Sequence, residues 1–199
     1  MREIFPGIDS WSVHSAEKGY AFNGYAIVTS DGATALIDPP EPEGADWSSF
    51  EMLAPFHGIY LTNRNHARAA EQFRDLFRTK VFVHEADEAQ LPIAADETLS
   101  GGELIGGEVV VVPAPGKSPG EVAFHLPGRR ALIVGDAVIG VPAGALSTYP
   151  EDKIDDQAAL RRTTVQLAAL DFDALLLCDG EAFLAGGRDA LAAFAAGTS

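Results

Sequence analysis

Five apolar runs in this chain of 199 residues end on a polar or charged side chain, followed by a turn or a helix. The endings are Asp38, Thr62-Asn63, the turn at Gly116-Lys117, Asp136 and Asp179. Ligand sites in α/β architectures gather beyond strand ends, so these endings point to one shared site. Taken singly, each Asp or Asn only terminates a strand or caps the next helix. The densest stretch is LTNRNHARAAEQF, residues 61 to 73, with two asparagines, one histidine and two arginines before its first acid, Glu71. Two chemistries are open to this set. Asp38, Asn63, Asn65, Asp136 and Asp179 are oxygen donors of the kind that hold calcium or magnesium. Arg68 and Lys117 are permanent cations that oppose a metal and suit the carboxylate or phosphate of an anionic ligand.

The histidines add little to a metal reading. There is no His-x-His or His-x-x-x-His pair among His14, His57, His66, His84 and His125. His66 falls in the expected first turn of a helix, where a capping or surface role suits it. The other four read as hydrogen-bonded structural residues. Cys178 is the sole cysteine, so no intramolecular disulfide and no Cys-rich zinc site can form. Ser118 beside Lys117 is a conceivable nucleophile, although a serine in a Pro-Gly turn is usually a turn residue.

The elements that must position these residues can be read from periodicity. Residues 25–28 and 34–37 form a hairpin around Ser30-Asp31-Gly32, and Pro39-Pro40 stops the second strand. Residues 41–47 form a loop. Residues 58–61 are a short buried strand, and residues 66–77 carry apolar side chains on one helical face. Residues 80–84 and the β-branched run 109–112 are strands, with a short helix after the first of them. Residues 122–126 and 131–134 make a second hairpin. Residues 140–153 form a loop placed to cover the site. Residues 155–170 form a helix capped by Asp155 or Asp156, residues 174–177 a buried strand, and residues 187–196 a final helix. This order is unlike a regular βαβ alternation and suggests two sheets sharing a core, with helices outside.

The composition sets outer limits. A formal net charge of -15 repels nucleic acid and anionic membranes. No run reaches the roughly 18 apolar residues that span a bilayer. The first residues carry no apolar signal region, so the cytoplasm is the expected location. With 47% apolar residues and no linker, one domain over 1–199 is expected.

The order of the strand endings resembles that of the metallo-β-lactamase fold superfamily over nearly the whole chain. The resemblance runs from GYAIVTSDGATALIDPP to LLLCDGEAF. TNRNHAR stands where the family has Thr-His-x-His-x-Asp-His, PGKSPG where it has Pro-Gly-His-Thr-Pro-Gly, Gly135-Asp136 where it has Gly-Asp, and CDG where it has Gly-His-Gly. The resemblance implies an α/β (α+β) fold, a four-layer αββα sandwich of two mixed β-sheets with helices on the outer faces. It also implies that the family's metal ligands fall on Asn63, Asn65, Ala67, Arg68, Lys117, Asp136 and Asp179. Only Asp136 keeps the ligand type. The expectation is therefore a divergent member without a metal: zinc is not expected as a cofactor, and Arg68 and Lys117 pair with Asp136 and Asp179 in its place, completed by the amides of Asn63 and Asn65.

Three functions are compatible with that expectation. One is a metal-free pseudo-hydrolase whose pocket of Asp38, Asn63, Asn65, Arg68, Lys117, Asp136 and Asp179 binds a small anion. Another is a hydrolase of the same superfamily with an atypical metal or none, in which Asp136 acts as general base and Lys117 or Arg68 stabilises an oxyanion. The third is an interaction module, in which an edge strand or apolar helix face makes a homodimer.

Overall fold

The structure, a computed structural model, describes residues 1–42 and 47–197, so part of the loop expected at 41–47 and the last two residues lie outside the described residues. Seven strands make the first sheet in the order of the chain. They are β1 (Arg2–Phe5), β2 (Ile8–Ser15), β3 (Tyr20–Val28), β4 (Thr34–Ile37), β5 (Phe56–Tyr60), β6 (Val81–His84) and β7 (Glu97–Leu99). Strands β1 to β4 pair antiparallel and β4 to β7 pair parallel. The second sheet holds β8 (Leu104–Ile105), β9 (Val109–Pro113), β10 (Val122–Leu126), β11 (Ala131–Val134) and β12 (Ala174–Leu177). Its pairs are antiparallel except β11 with β12, so both sheets are mixed.

The sheets pack face to face because side chains alternate along every strand. Tyr25, Ile27, Ala35 and Ile37 meet Val122, Phe124, Ile133 and Leu176 in the inner core. The neighbours Ala26 and Leu36 point outward, where α1 (Ser48–Glu51) and α2 (Ala70–Phe77) cover them with Phe50, Ala70 and Phe73. A short helix, α3 (Glu85–Glu88), follows β6. On the other outer face, Leu132, Val134, Leu175 and Leu177 lie under α4 (Gln157–Ala168) and α5 (Gly187–Gly197), which contribute Leu160, Leu167 and Leu191. Three apolar layers thus separate four structural layers, as the resemblance implies. No helix among the described residues is long and apolar enough to cross a membrane.

Two differences from the sequence expectation matter for the site. The helix expected from His66 starts only at Ala70, because Arg68 has φ 38°, a left-handed conformation that an α-helix does not contain. Residues 63–69 are instead a series of turns, with Asn63 O accepting from His66 N and Ala67 O accepting from Ala70 N. The N-terminal strands β1 and β2 are an addition to the expected elements. IDSWSVHS alternates around short polar side chains rather than β-branched ones, so its strand signal is weak.

Candidate functional site

Strand ends β4, β5, β11 and β12, with the turn between β9 and β10, converge at one edge of the sandwich. A cavity of about 340 Å³ opens there, lined by Lys18, Phe22, Asn65, His66, Arg68, Lys117, Asp136, Tyr149, Lys153 and Asp179. Its most buried polar groups are Asp179, Asp136 and His66, which are 2%, 3% and 4% exposed. His66 Nδ1 lies 2.6 Å from Asp38 Oδ2, and Nε2 lies 3.0 Å from Asp136 Oδ1.

Asp38 is fully buried and accepts from Thr62 N at 2.8 Å and Thr62 Oγ1 at 2.5 Å. Burial raises its pKa, but His66 and Arg68 outweigh that and hold it below the usual carboxylate range. An ionised Asp38 only accepts, so His66 must donate from Nδ1. Asp136 behaves alike: burial opposes its charge, while His66 and Lys117 pull its pKa down. His66 therefore donates from both nitrogens. Burial and Arg68 disfavour its charge, yet Asp136 and Asp38 prevail and lift its pKa to about 10.

Two close approaches make this arrangement fit. A Cβ on Gly135 would stand 2.4 Å from Thr62 Oγ1, so only glycine lets the end of β11 bring Asp136 against His66. A Cβ on Gly116 would stand 2.5 Å from Leu160 Cα, which seats the Lys117 turn on α4. Gly116 O and Pro115 O accept from Asp156 N and Thr163 Oγ1, fixing the same turn.

The remaining cations sit on carboxylates. Arg68 Nη2 donates to Asp179 Oδ1 at 2.5 Å and to Cys178 O at 3.2 Å. Its guanidinium lies 4.7 Å above the Phe22 ring, an additional cation–π contact. Lys117 Nζ is 3.2 Å from Asp136 Oδ2 and 5.1 Å from the Tyr149 ring centroid. The Tyr149 hydroxyl donates to Asp179 Oδ2. Tyr149 and Lys153 belong to the loop 140–153, which borders the cavity.

Of the residues singled out from the sequence, Arg68, Lys117, Asp136 and Asp179 come together in ion pairs around the cavity. Asp38 lies behind the His66 ring rather than in the cavity wall. Asn63 and Asn65 do not complete the cluster. The Asn63 carbonyl is spent on Asn65 N at 2.8 Å, a local turn, and its Nδ2 finds no partner among the described residues. Asn65 is an exposed residue of the rim. Ser118 is no nucleophile of this cavity: it is fully buried, and its hydroxyl donates to Asp87 Oδ2.

Sequence reasoning misses three residues of consequence. His66 reads as a bystander because a helix is expected to begin there, whereas residues 63–69 form turns and its ring lies between Asp38 and Asp136. Asp87, on α3, is fully buried and accepts from Arg64 N, Ser118 Oγ and Gly120 N. It ties the 63–69 turns to the Lys117 turn, and no local sequence signal marks it. Tyr149 falls in the loop expected over the pocket, but nothing in the sequence distinguishes it there.

The donor set bears on metal binding. Asp38, His66 and Cys178 form one group, and His66, Asp136 and Asp179 another; in each the ligand atoms lie within 4.8 Å of one another. The second group can hold a single divalent ion once His66 Nε2 gives up its proton and Lys117 and Arg68 yield Asp136 and Asp179. Asp38 accepting from Nδ1 is the outer carboxylate that metal-bound histidines typically carry, and it aims Nε2 at the carboxylates. Three donors with an open position are the usual form of a catalytic zinc site. A second ion does not fit, because Asn63, Asn65 and Ala67 offer no anionic donor and Arg68 and Lys117 bring positive charge.

The comparisons with known proteins agree with the architecture. A family model described as Metallo-beta-lactamase superfamily matches residues 2–198. A hydroxyacylglutathione hydrolase of Mesorhizobium japonicum is 28% identical over 170 residues, covering 80% of this chain and 62% of the relative. The chain thus spans less than two thirds of that relative's length. The solved metallo-beta-lactamase family protein TTHA1429 from Thermus thermophilus superimposes with a TM-score of 0.75 at 19% identity, over 98% of this chain and 80% of that one. A structure of TTHA1623 in a di-iron-bound form gives a TM-score of 0.72 at 23% identity, over 90% of this chain and 96% of the other. The expectation that no metal binds is corrected by these findings: His66 supplies the imidazole the sequence pattern lacks, two groups of metal-ligating side chains converge on it, and a protein of the same fold was solved with two irons. By fold and by family match, the chain belongs to the metallo-beta-lactamase superfamily.

Proposed function

We propose that this protein is a hydrolase of the metallo-beta-lactamase superfamily that works with one divalent ion, acting on a small anionic ester or thioester. The observation that carries the reading is the His66 clamp. Asp38 holds Nδ1, so the opposite nitrogen faces Asp136 and Asp179 at the inner end of an open cavity. The relatives named hydroxyacylglutathione hydrolase favour hydrolysis over a metal-free pseudo-hydrolase.

His66, Asp136 and Asp179 would hold the ion, which when bound polarises a carbonyl and acidifies a bound water. The chain's own residues do the rest. Lys18, Arg68, Lys117 and Lys153 bring four positive charges to a cavity lined by two acids, Asp136 and Asp179, in a protein of net charge -15. That contrast draws an anionic substrate to this edge of the sandwich. Arg68 and Lys117 orient its charged group, and Lys117 lies within reach of charge that develops on the carbonyl oxygen. Hydrolysis places the water's oxygen on the acyl carbon, breaks the acyl–oxygen or acyl–sulfur bond, and returns a proton to the leaving group.

The test is a screen of esters, thioesters, lactams and phosphodiesters on chelator-treated protein, reloaded in turn with zinc, iron(II) and manganese. Hydrolysis of a thioester or ester that saturates at one equivalent of ion is expected. Absence of turnover on every substrate with every ion would sink the reading.

A further inference from the structure

A second cavity, of about 210 Å³, adjoins the first and shares Tyr149 with it. It is lined by Tyr149, Ile154, Leu160, Thr164 and Phe194, with Glu151, Gln157 and Arg161 among the residues around it. Leu160 and Thr164 are buried and form its floor, whereas Glu151 and Arg161 are exposed at its rim. Ile154, Leu160 and Phe194 belong to the apolar layer beneath α4 and α5, so the floor is continuous with packed carbon. At about 210 Å³ the cavity has room for a short chain or a single ring, in an open cleft whose lining also includes Thr148 and Thr164.

Tyr149 separates two unlike environments. On one side, Lys117 faces its ring and Asp179 accepts from its hydroxyl, which also shares a hydrogen bond of 2.9 Å with the Tyr20 hydroxyl. On the other side lies the apolar floor, with no metal-ligating cluster among the described residues there. The ring is held by Lys117 and Asp179 of the charged cavity and by Tyr20, so its position is fixed with respect to both sides. A ligand that draped across its edge would place a carbonyl or carboxylate near Lys117 and Arg68 and an apolar arm against Ile154, Leu160 and Phe194.

We infer that this second cavity is an acyl pocket: it takes the apolar acyl arm of the substrate, a short aliphatic chain or a single aromatic ring, while the carbonyl and the anionic leaving group lie on the cationic side of Tyr149. The inference rests on the hydrolase reading above and narrows its substrate to esters or thioesters of monocarboxylic acids with such an arm. Burial of each methylene against the floor would then appear as affinity, about fourfold for each carbon.

Calorimetric titration of the full chain with acetate, butanoate and hexanoate at one ionic strength reads this directly, because these acids are the products such a substrate would release. The expected result is an affinity that climbs by about fourfold per methylene in the unaltered protein. Ile154→Asp, which sets a charge in the pocket, should flatten the series. Gln157→Trp, which fills it from the half-exposed rim, should do the same and keeps the test open if the first variant does not fold. A flat or undetectable series in the unaltered protein overturns the acyl pocket, even where ester or thioester hydrolysis is seen. An unchanged climb in the variants that fold overturns it as well. A climb that both substitutions remove, in a protein that hydrolyses nothing with any ion, supports the pocket and sinks the hydrolase reading instead.

Discussion

Asp87 and Asp136 are the same side chain in a similar degree of burial, yet they are built into opposite roles. Each is withdrawn from solvent, and each lies where a strand or helix from one sheet meets a turn from the other. Asp87 accepts hydrogen bonds from two backbone N–H groups and the Ser118 hydroxyl, none of which leaves its place without unfolding the turn that carries it, and the Arg64 guanidinium lies farther off, at 3.8 Å. Asp136 spends its oxygens on His66 and Lys117, two side chains that can give up a proton or swing away, and it borders a cavity. A buried carboxylate met by backbone donors is an anchor; one met by titratable or flexible cations beside a cavity is available for chemistry.

Alanine at each position should separate these roles. Asp87→Ala strands two backbone donors and a hydroxyl in the interior, at a cost of about 3 kcal/mol. For a chain of this size that lowers the melting temperature by roughly 6–12 °C. Hydrolysis by the fraction still folded should be nearly unchanged. Asp136→Ala should lower hydrolysis by at least about 100-fold, the upper end of what even an outer residue of a metal site costs when lost. Its melting temperature should fall less, because His66 can shed its proton once Asp136 is gone. Thermal melts and rate measurements on both variants check this, and the comparison breaks if Asp87→Ala loses its turnover per folded molecule.

Asp38 tests the same distinction on the far side of the imidazole. It is satisfied by Thr62 as an anchor would be, yet it also fixes His66. Asp38→Asn should weaken zinc binding by about 10–100-fold, since the amide no longer favours a donating Nδ1. Competition with a coloured chelator measures it. An affinity equal to that of the unaltered protein would make Asp38 an anchor like Asp87.

How far this is legible in the sequence follows the same line. The strands β3, β4, β9, β10, β11 and β12 are readable because they are short runs with a period of two or β-branched content between strong turn residues. Arg68 and Lys117 beside Asp179 and Asp136 are readable from the order of strand endings, since that order fixes which ends share an edge. His66 is not, because it lies in the 63–69 turns rather than in a helix, and the left-handed Arg68 among them carries no sign of that conformation in its residue type. Asp87 is not either. Its partners are 23, 31 and 33 residues away, and only the packing of α3 against two turns brings them together. The expectation of a metal-free site fails for the same reason: it counts ligands at the family's positions and not at the neighbouring one.

The smallest effect expected from this comparison is a slope of stability with pH, and it carries a sign. His66 has a pKa of about 10 in the folded protein freed of metal, against 6.5 for a free histidine. The folded state therefore binds the proton more tightly, and the stability this contributes is complete below pH 6.5 and is lost as the pH rises through 10. Asp136 runs the other way: its lowered pKa adds stability above the usual value of 3.8, which is lost as the pH falls through the folded value. Between these limits the chelator-treated protein should be at its most stable, near pH 4 to 6.5 for these two groups. Melting curves at about pH 6 and pH 9 should show the higher temperature at the lower pH, by roughly 2–4 °C for each kcal/mol lost. In Asp87→Ala the difference should persist, because Asp87 does not touch the imidazole. In His66→Asn it should shrink, because the imidazole is gone and only other groups, such as the buried Glu121 whose pKa burial raises, remain to titrate. A melting temperature that rises between those two pH values would mean that His66 is neutral in the folded protein, and that its contact with Asp136 is held by something other than the imidazole's charge.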